Sequence, residues 1–149
     1  MPSPYTGGCQ CGQIRYELHA EPLARHCTEC QRQSSSAFGM SMPVAREAVK
    51  LLKGTPKQWS RPSASGRAVV CFFCGECGTR LFHQPTRNNK ITNIKPGTLD
   101  DTSWLRPVGN LWTSSAQPWI TFSNDMLNYA EQPTLEEFAQ MCNRFTDGF

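Results

Sequence analysis

The chain has 149 residues, a formal net charge of +3 and only 18% charged residues. This length predicts one domain, residues 1–149, that can bury its own hydrophobic core. The basic residues are scattered rather than clustered, which argues against a nucleic-acid surface, and no apolar run approaches the ~20 residues that span a membrane.

Glycine and proline, eleven of each, interrupt short apolar runs, and this pattern predicts a mainly β, coil-rich fold. Period-two patterning and short apolar runs predict strands within residues 13–18, 38–44, 68–73, 80–83 and 90–95. Residues 49–54 and 57–60 are predicted to pair as a hairpin around Gly54. We also expect Thr28 to cap a short helix that carries Cys30 in its first turn.

A short C-terminal helix is predicted from Thr134 to about Phe145. Thr134 and Glu137 have the spacing of a capping box, in which each side chain accepts a hydrogen bond from the other residue's backbone. The helix has one apolar stripe, formed by Leu135, Phe138, Met141, Cys142 and Phe145. Cys142 is therefore interpreted as a core residue.

The chain contains eight cysteines, and their spacing favours metal binding over disulfides. Residues 1–6 show neither the basic nor the apolar region of a secretory signal, so we expect a cytoplasmic protein with reduced thiols. In that setting, pairs of cysteines one or two residues apart indicate metal sites.

The first candidate site combines two such pairs. Cys74 and Cys77 form a knuckle in which Gly78 can adopt a positive φ, and Cys9 and Cys11 lie between glycines near the N-terminus. Four thiolates suit a structural zinc ion, which leaves no open coordination position. The alternative is a set of buried free thiols.

The second candidate site is Cys27-x-x-Cys30, and three interpretations remain open. It can be half of a second metal site, a redox dithiol whose thiolate is favoured by a helix N-terminus and Arg25, or two inert cysteines. His26 is expected to be a packed or surface residue rather than a ligand, because neighbouring side chains on an extended segment point in opposite directions.

Four motifs, in this order, resemble the glutathione-dependent formaldehyde-activating enzyme family, which includes S-(hydroxymethyl)glutathione synthase and the centromere protein V domain. They are Gly7-Gly8-Cys9-x-Cys11-Gly12, His26-Cys27-x-x-Cys30-Gln31-Arg32, Phe73-Cys74-x-x-Cys77-Gly78-Thr79 and Gly97-Thr98-Leu99-Asp100-Asp101. The resemblance implies an Mss4-like fold with a structural zinc knuckle, in which Cys9, Cys11, Cys74 and Cys77 correspond to the zinc ligands.

The resemblance also implies a second zinc on a Cys-x-Cys-x-x-Cys run, but here Arg25 replaces the first cysteine. Cys71 stands where family members often carry a basic residue, as if cysteine and arginine were exchanged. We therefore predict that Cys71 lies beside Arg25 and completes a second zinc site with Cys27 and Cys30. The alternative is that Cys71 is a buried strand residue and the second zinc is absent. Ser35 replaces a usual glycine, and Asn110 replaces a common histidine.

The function implied by the resemblance is a zinc-dependent carbon–sulfur lyase that acts on a thiol–aldehyde adduct such as S-(hydroxymethyl)glutathione. Cys27 and Cys30 would be catalytic, and Arg25 and Arg32 would bind a substrate carboxylate. The expected partners are a small thiol such as glutathione and an aldehyde. One alternative is a non-catalytic, zinc-stabilised binding module that has lost the second metal site. A thiol redox protein is disfavoured, because no thioredoxin-type βαβ pattern is present.

Overall fold

A computed structural model describes residues 5–18, 23–63 and 66–146, with only the backbone for Leu23 and for residues 142–146. The described chain is mainly β and rich in coil, with two α-helices, which confirms the predicted fold class. The strands are β1 (Tyr5–Gly8), β2 (Arg15–Leu18), β3 (Leu23–Arg25), β4 (Gly39–Ala45), β5 (Lys50–Lys53), β6 (Lys57–Pro62), β7 (Ala68–Phe73), β8 (Arg80–Pro85), β9 (Ile91–Ile94), β10 (Gly109–Leu111) and β11 (Leu127–Asn128). The helices are α1 (Thr28–Ser34) and α2 (Leu135–Thr146).

The fold has two compact units, each built from two segments of the chain. Unit 1 comprises residues 1–20 and 42–104, and unit 2 comprises residues 21–41 and 105–149. Strand β4 runs through the boundary: residues 39–41 pair with β3 in unit 2, and residues 42–45 pair with β9 in unit 1. The assignment of residues 1–149 to a single domain stays a prediction.

Unit 1 contains a sheet in the order β1-β2-β5 and an antiparallel ladder in the order β9-β8-β7-β6. The predicted hairpin of β5 with β6 is therefore wrong, because β5 pairs with β2 and β6 pairs with β7. The β6–β7 ladder joins six residue pairs, from Lys57–Phe73 to Pro62–Ala68. The four-residue β5 offers fewer cross-strand pairs, and these pairs are the unit of sheet stabilisation.

Tyr16 lies in the centre of the three-stranded sheet and is fully buried. Its hydroxyl lies 2.5 Å from the Thr98 hydroxyl, and burial raises the pKa of Tyr16 to about 12. A Cβ on Gly7 would come within 2.6 Å of the Tyr16 hydroxyl and 2.5 Å of the Thr98 carbonyl oxygen. Glycine is required at position 7 because the backbone there passes too close to its neighbours for any side chain.

The Gly97–Asp101 motif serves to anchor this part of the chain. Asp100 accepts a hydrogen bond of 2.9 Å from Arg15 Nη1 and one of 2.7 Å from Thr6 Oγ1. Its backbone N–H donates to the Thr6 carbonyl at 2.9 Å. The motif therefore ties residues 97–101 to strands β1 and β2.

Unit 2 contains β3 and β11 on either side of β10, both parallel to it. Its core cluster is Val108, Leu111 and Met141, so α2 contributes to the core through Met141. The predicted apolar stripe is wrong at Leu135, whose side chain is 87% exposed. Leu135 begins the helix one turn before Phe138, which is the first helix residue that packs against the core cluster. The predicted core positions of Cys142 and Phe145 lie outside the described side chains.

The capping box at the start of α2 is confirmed. The Glu137 N–H donates to Thr134 Oγ1 at 3.2 Å, and the Thr134 N–H donates to Glu137 Oε1 at 3.0 Å. Two backbone N–H groups at the helix terminus are thereby satisfied. In the described part of the chain, no helix is both long enough and apolar enough to cross a membrane.

Candidate metal centre and thiol pair

The sulfurs of Cys9, Cys11, Cys74 and Cys77 all lie within 4.8 Å of one another in unit 1. Cys9 Sγ is 3.5 Å from Cys11 Sγ, and Cys11 Sγ is 3.7 Å from Cys74 Sγ. A tetrahedral zinc with Zn–S bonds of about 2.3 Å places its sulfurs about 3.8 Å apart. The four residues therefore fit one zinc ion.

Two tight turns create this cluster, each with a glycine in the left-handed region. In the first turn, the Gly12 N–H donates to the Cys9 carbonyl at 3.1 Å, and Gly12 has a φ of +78°. In the second, the Gly78 N–H donates to the Cys74 carbonyl at 2.9 Å, and Gly78 has a φ of +75°. The positive φ predicted for Gly78 is confirmed, and it closes the knuckle without steric cost.

Hydrogen bonds also reach the sulfurs themselves. The Ile14 N–H donates to Cys9 Sγ at 3.2 Å, and Thr79 Oγ1 lies 3.2 Å from Cys77 Sγ. The Gln10 N–H donates to the same Thr79 hydroxyl at 3.2 Å, so Thr79 links the two cysteine turns. Hydrogen bonds from the Thr79 hydroxyl and backbone lower the pKa of Cys77 to about 5, which favours the thiolate that zinc needs.

A second pair of thiols, Cys27 and Cys30, lies at the start of α1 in unit 2. The N-cap is Cys27 rather than the predicted Thr28, because Cys27 Sγ accepts a hydrogen bond of 3.3 Å from the Cys30 N–H. Cys27 is half-buried and Cys30 is buried. The hydrogen bond between the two side chains raises the pKa of Cys27, burial adds to this effect, and the positive charge of Arg25 opposes it.

Backbone and side-chain hydrogen bonds hold the residue before this pair. Gln31 Nε2 donates to the His26 carbonyl at 2.7 Å and to the Ser115 carbonyl at 2.8 Å. The Ser115 hydroxyl also donates to the His26 carbonyl at 3.2 Å. The backbone that leads into Cys27 is thereby attached to both α1 and the segment around residue 115.

The His26 side chain is packed, in agreement with the prediction. It is 1% exposed, with its ring centroid 5.1 Å from that of Phe38 and 5.0 Å from that of Phe122. Its Nε2 lies 2.9 Å from Oδ1 of Asn110, whose Nδ2 donates to Asn128 at 2.8 Å. Asn110 thus serves as the partner of His26.

A sequence model of the glutathione-dependent formaldehyde-activating enzyme family matches residues 4–115 of this chain. The chain belongs to this family. The matched region includes both the four-cysteine cluster and the Cys27–Cys30 pair. A crystal structure of a Rhodobacter sphaeroides protein has a similar fold, with a TM-score of 0.53 at 17% identity, covering 65% of this chain and 89% of that one.

The two arginines predicted to bind substrate in this family member both lie in unit 2 with the thiol pair. Arg25 ends β3 and is half-buried, and its charge only partly opposes the hydrogen bond from Cys30 and the burial that raise the pKa of Cys27. Arg32 lies in the last turn of α1 and is exposed. Their binding of a substrate carboxylate stays a prediction.

Cys71, the predicted third ligand of a second zinc in this family member, lies in β7 and is 3% exposed. It belongs to unit 1, whereas Cys27 and Cys30 belong to unit 2, and the three-cysteine site stays a prediction. Cys71 pairs with His83 on β8, and His83 pairs with Asn93 on β9; both partners are buried. Sequence reasoning missed His83 and Asn93, because only the register of the strands shows that they share a row with Cys71.

Proposed function

We propose that this protein is a zinc-dependent carbon–sulfur lyase that acts on a thiol–aldehyde adduct such as S-(hydroxymethyl)glutathione. The observation that supports it is the Cys27–Cys30 pair: two neighbouring thiols at the start of a helix that are not members of the four-cysteine cluster. Family membership supports a reaction of glutathione with formaldehyde. The described cysteines are free thiols, which fits the cytoplasmic location we propose.

The reaction breaks one carbon–sulfur bond. The hydroxyl group of the adduct loses its proton, its oxygen forms the C=O bond of formaldehyde, and the sulfur leaves as a thiolate that is then protonated. Cys27 and Cys30 would hold the second zinc, which when bound supplies a Lewis acid that favours the thiolate form of a sulfur. In the reverse direction, the thiolate adds to formaldehyde.

Four further residues would bind the substrate or position Cys27. Arg25 and Arg32 would each bind a carboxylate of the thiol substrate, since a guanidinium can donate two parallel hydrogen bonds to a carboxylate. His26 and Gln31 hold the backbone that carries Cys27, through the hydrogen bond of 2.7 Å between them. They are positioning residues, because neither is required to touch the substrate.

Exchange NMR of glutathione with ¹³C-formaldehyde tests this proposal, because it measures the rate of adduct formation and breakdown directly. We expect Cys27→Ala and Cys30→Ala to reduce the enzyme-dependent rate to background while leaving the melting temperature close to that of the parent. Thr28→Ala is the matched control, since Thr28 is exposed between the two cysteines and should be dispensable. Full activity in Cys27→Ala would overturn the proposal.

The second candidate function is a non-catalytic module in which one zinc maintains the fold. Within the described residues of unit 2, no third cysteine, histidine or acidic side chain forms a ligand cluster with Cys27 and Cys30. Zinc content separates the two functions: the lyase predicts two zinc ions per chain, and the module predicts one. A single zinc together with no acceleration of the exchange would favour the module.

A further inference from the structure

We propose that unit 1 carries a second ligand site, independent of the cysteines, that binds a small organic carboxylate with an apolar or aromatic body. The site is a cleft of about 360 Å³ that lies entirely within unit 1. Clefts of roughly 300–1,000 Å³ are typical of small-molecule sites. It is built from one face of the β6–β9 ladder and the chain segment that connects β4 to β6.

The floor of the cleft is aromatic. Phe72 on β7 and Phe82 on β8 are opposite one another in register, with ring centroids 4.5 Å apart and an angle of 23° between the rings. Gln84, two residues after Phe82, lies on the same face and donates from Nε2 to Thr92 Oγ1 at 3.0 Å. Phe72 is only half-buried, so part of its ring is available to an apolar ligand.

The segment that connects β4 to β6 contributes further lining residues, among them Arg46, Leu51 and Pro56. Leu51 is 44% exposed although it is a large apolar side chain. The Arg46 N–H donates to the Lys90 carbonyl at 2.7 Å, and this bond fixes the start of the segment against the loop before β9. The lining of the cleft therefore combines aliphatic and aromatic side chains with the cation Arg46.

Arg46 supplies the charge that identifies the ligand class. Its Nε is buried without a hydrogen-bond partner, and its guanidinium forms no ion pair with the described residues. None of the residues that line the cleft is acidic. A half-buried cation without a counter-charge is stabilised by an anion, and a carboxylate can accept two parallel hydrogen bonds from a guanidinium. The apolar surroundings favour a hydrocarbon or aryl group attached to that carboxylate.

Binding of 3-phenylpropionate to the parent protein tests the proposal, measured by titration in ¹H–¹⁵N NMR spectra. We expect saturable shifts that include the side-chain amide of Gln84. The uncharged 3-phenylpropionamide has the same body and should bind at least about tenfold more weakly, the value of one charge-assisted hydrogen bond. Equal affinity for the acid and the amide would overturn the proposal. So would the absence of saturable binding up to about 20 mM, well above the millimolar Kd expected of a weak ligand.

Variants at position 46 test whether the Arg46 guanidinium binds the carboxylate. Arg46→Met should weaken binding of 3-phenylpropionate about tenfold, and Arg46→Lys should restore part of the loss. Arg67→Met is the matched control, because Arg67 is exposed beside the β6–β7 turn and does not line the cleft. Unchanged affinity in a folded Arg46→Met variant would overturn the assignment. The acid–amide comparison on the parent decides the matter even if that variant does not fold. Cys27→Ala should bind 3-phenylpropionate like the parent, which separates this site from the proposed lyase.

Discussion

Cys11 Sγ lies 3.7 Å from Cys74 Sγ, although the two residues are 63 positions apart in the chain. The turn that follows β1 and the turn between β7 and β8 therefore meet at their cysteines. A zinc ion bound to Cys9, Cys11, Cys74 and Cys77 would join two sheets that share no strand. In this arrangement a bound metal would cross-link distant parts of unit 1.

Replacing a ligand of this cluster should unfold the protein. We expect Cys74→Ser to release zinc and to give insoluble or unfolded protein, because structural zinc contributes folding free energy on the order of 10 kcal/mol. Circular dichroism and zinc content check this expectation. Glu76→Ser is the control, since Glu76 lies in the same turn as Cys74 but is exposed and is not in the cluster. A Cys74→Ser variant that melts like the parent and retains its zinc would show that the cluster is not a structural site.

Ser35 ends α1 in the left-handed region, with a φ of 54°. Ser35→Gly should stabilise the protein by about 0.5–1 kcal/mol. Glycine removes the strain of the left-handed conformation, and this gain is larger than the additional entropy that glycine loses on folding. Chemical denaturation measures the change. Ser36→Gly should lower the stability by about 0.5 kcal/mol, since Ser36 has no positive φ to relieve. A destabilised Ser35→Gly would contradict the argument from strain.

Arg15 and Asp100 form an ion pair, and the hydrogen bonds from Arg15 and Thr6 hold the pKa of Asp100 below its ordinary value. Because the pKa of Asp100 is lower in the folded state, the pair stabilises the fold at pH values above the unfolded-state pKa of about 4. This stabilisation is lost as the pH falls through the pKa of Asp100 in the folded state. Asp100→Asn should therefore lower the free energy of unfolding by about 1 kcal/mol at pH 7. The effect is no larger than this because the pair is partly exposed, and it should decrease below about pH 4.

Urea denaturation of the parent and of Asp100→Asn at a series of pH values measures this difference. Comparing the two proteins at each pH cancels the loss of zinc at low pH, which affects both. The double variant Arg15→Gln, Asp100→Asn isolates the coupling between the two side chains. A cost that is the same at pH 3 and pH 7 would mean that the charge of Asp100 does not contribute.

Cys71 decides between the two accounts of the second metal site. If it is the third ligand, Cys71→Ala should lower the zinc content by one ion per chain and reduce the exchange of glutathione with formaldehyde to background. If it is only a core residue of β7, Cys71→Ala should lower the melting temperature and leave the zinc content unchanged. Zinc content and melting temperature measured on the same samples give the answer.

Local patterns were sufficient to predict several features of this protein. The capping box of Thr134 and Glu137, the knuckle closed by Gly78 and the strand over residues 68–73 all appear as expected. Each depends on residues that lie within a few positions of one another. Their conformations follow from backbone sterics and from hydrogen bonds between residues close in the chain, so the local sequence is enough to predict them.

The features that sequence reasoning missed all depend on which segments meet. Residues 49–60 have the pattern of a hairpin, yet β6 forms a longer ladder with β7, and β5 pairs with β2 instead. The neighbours of Cys71 are known only from the register of β7, β8 and β9.

The sequence by itself therefore determined the family, the mainly β fold class and the cysteine pairs of the candidate metal centre. Only the tertiary structure decided the strand partners, the packing of His26 against Phe38 and Phe122, and the cleft beside Arg46. The reason is physical: propensity acts over a few residues, whereas the choice of partner depends on the total burial and pairing that distant segments can achieve.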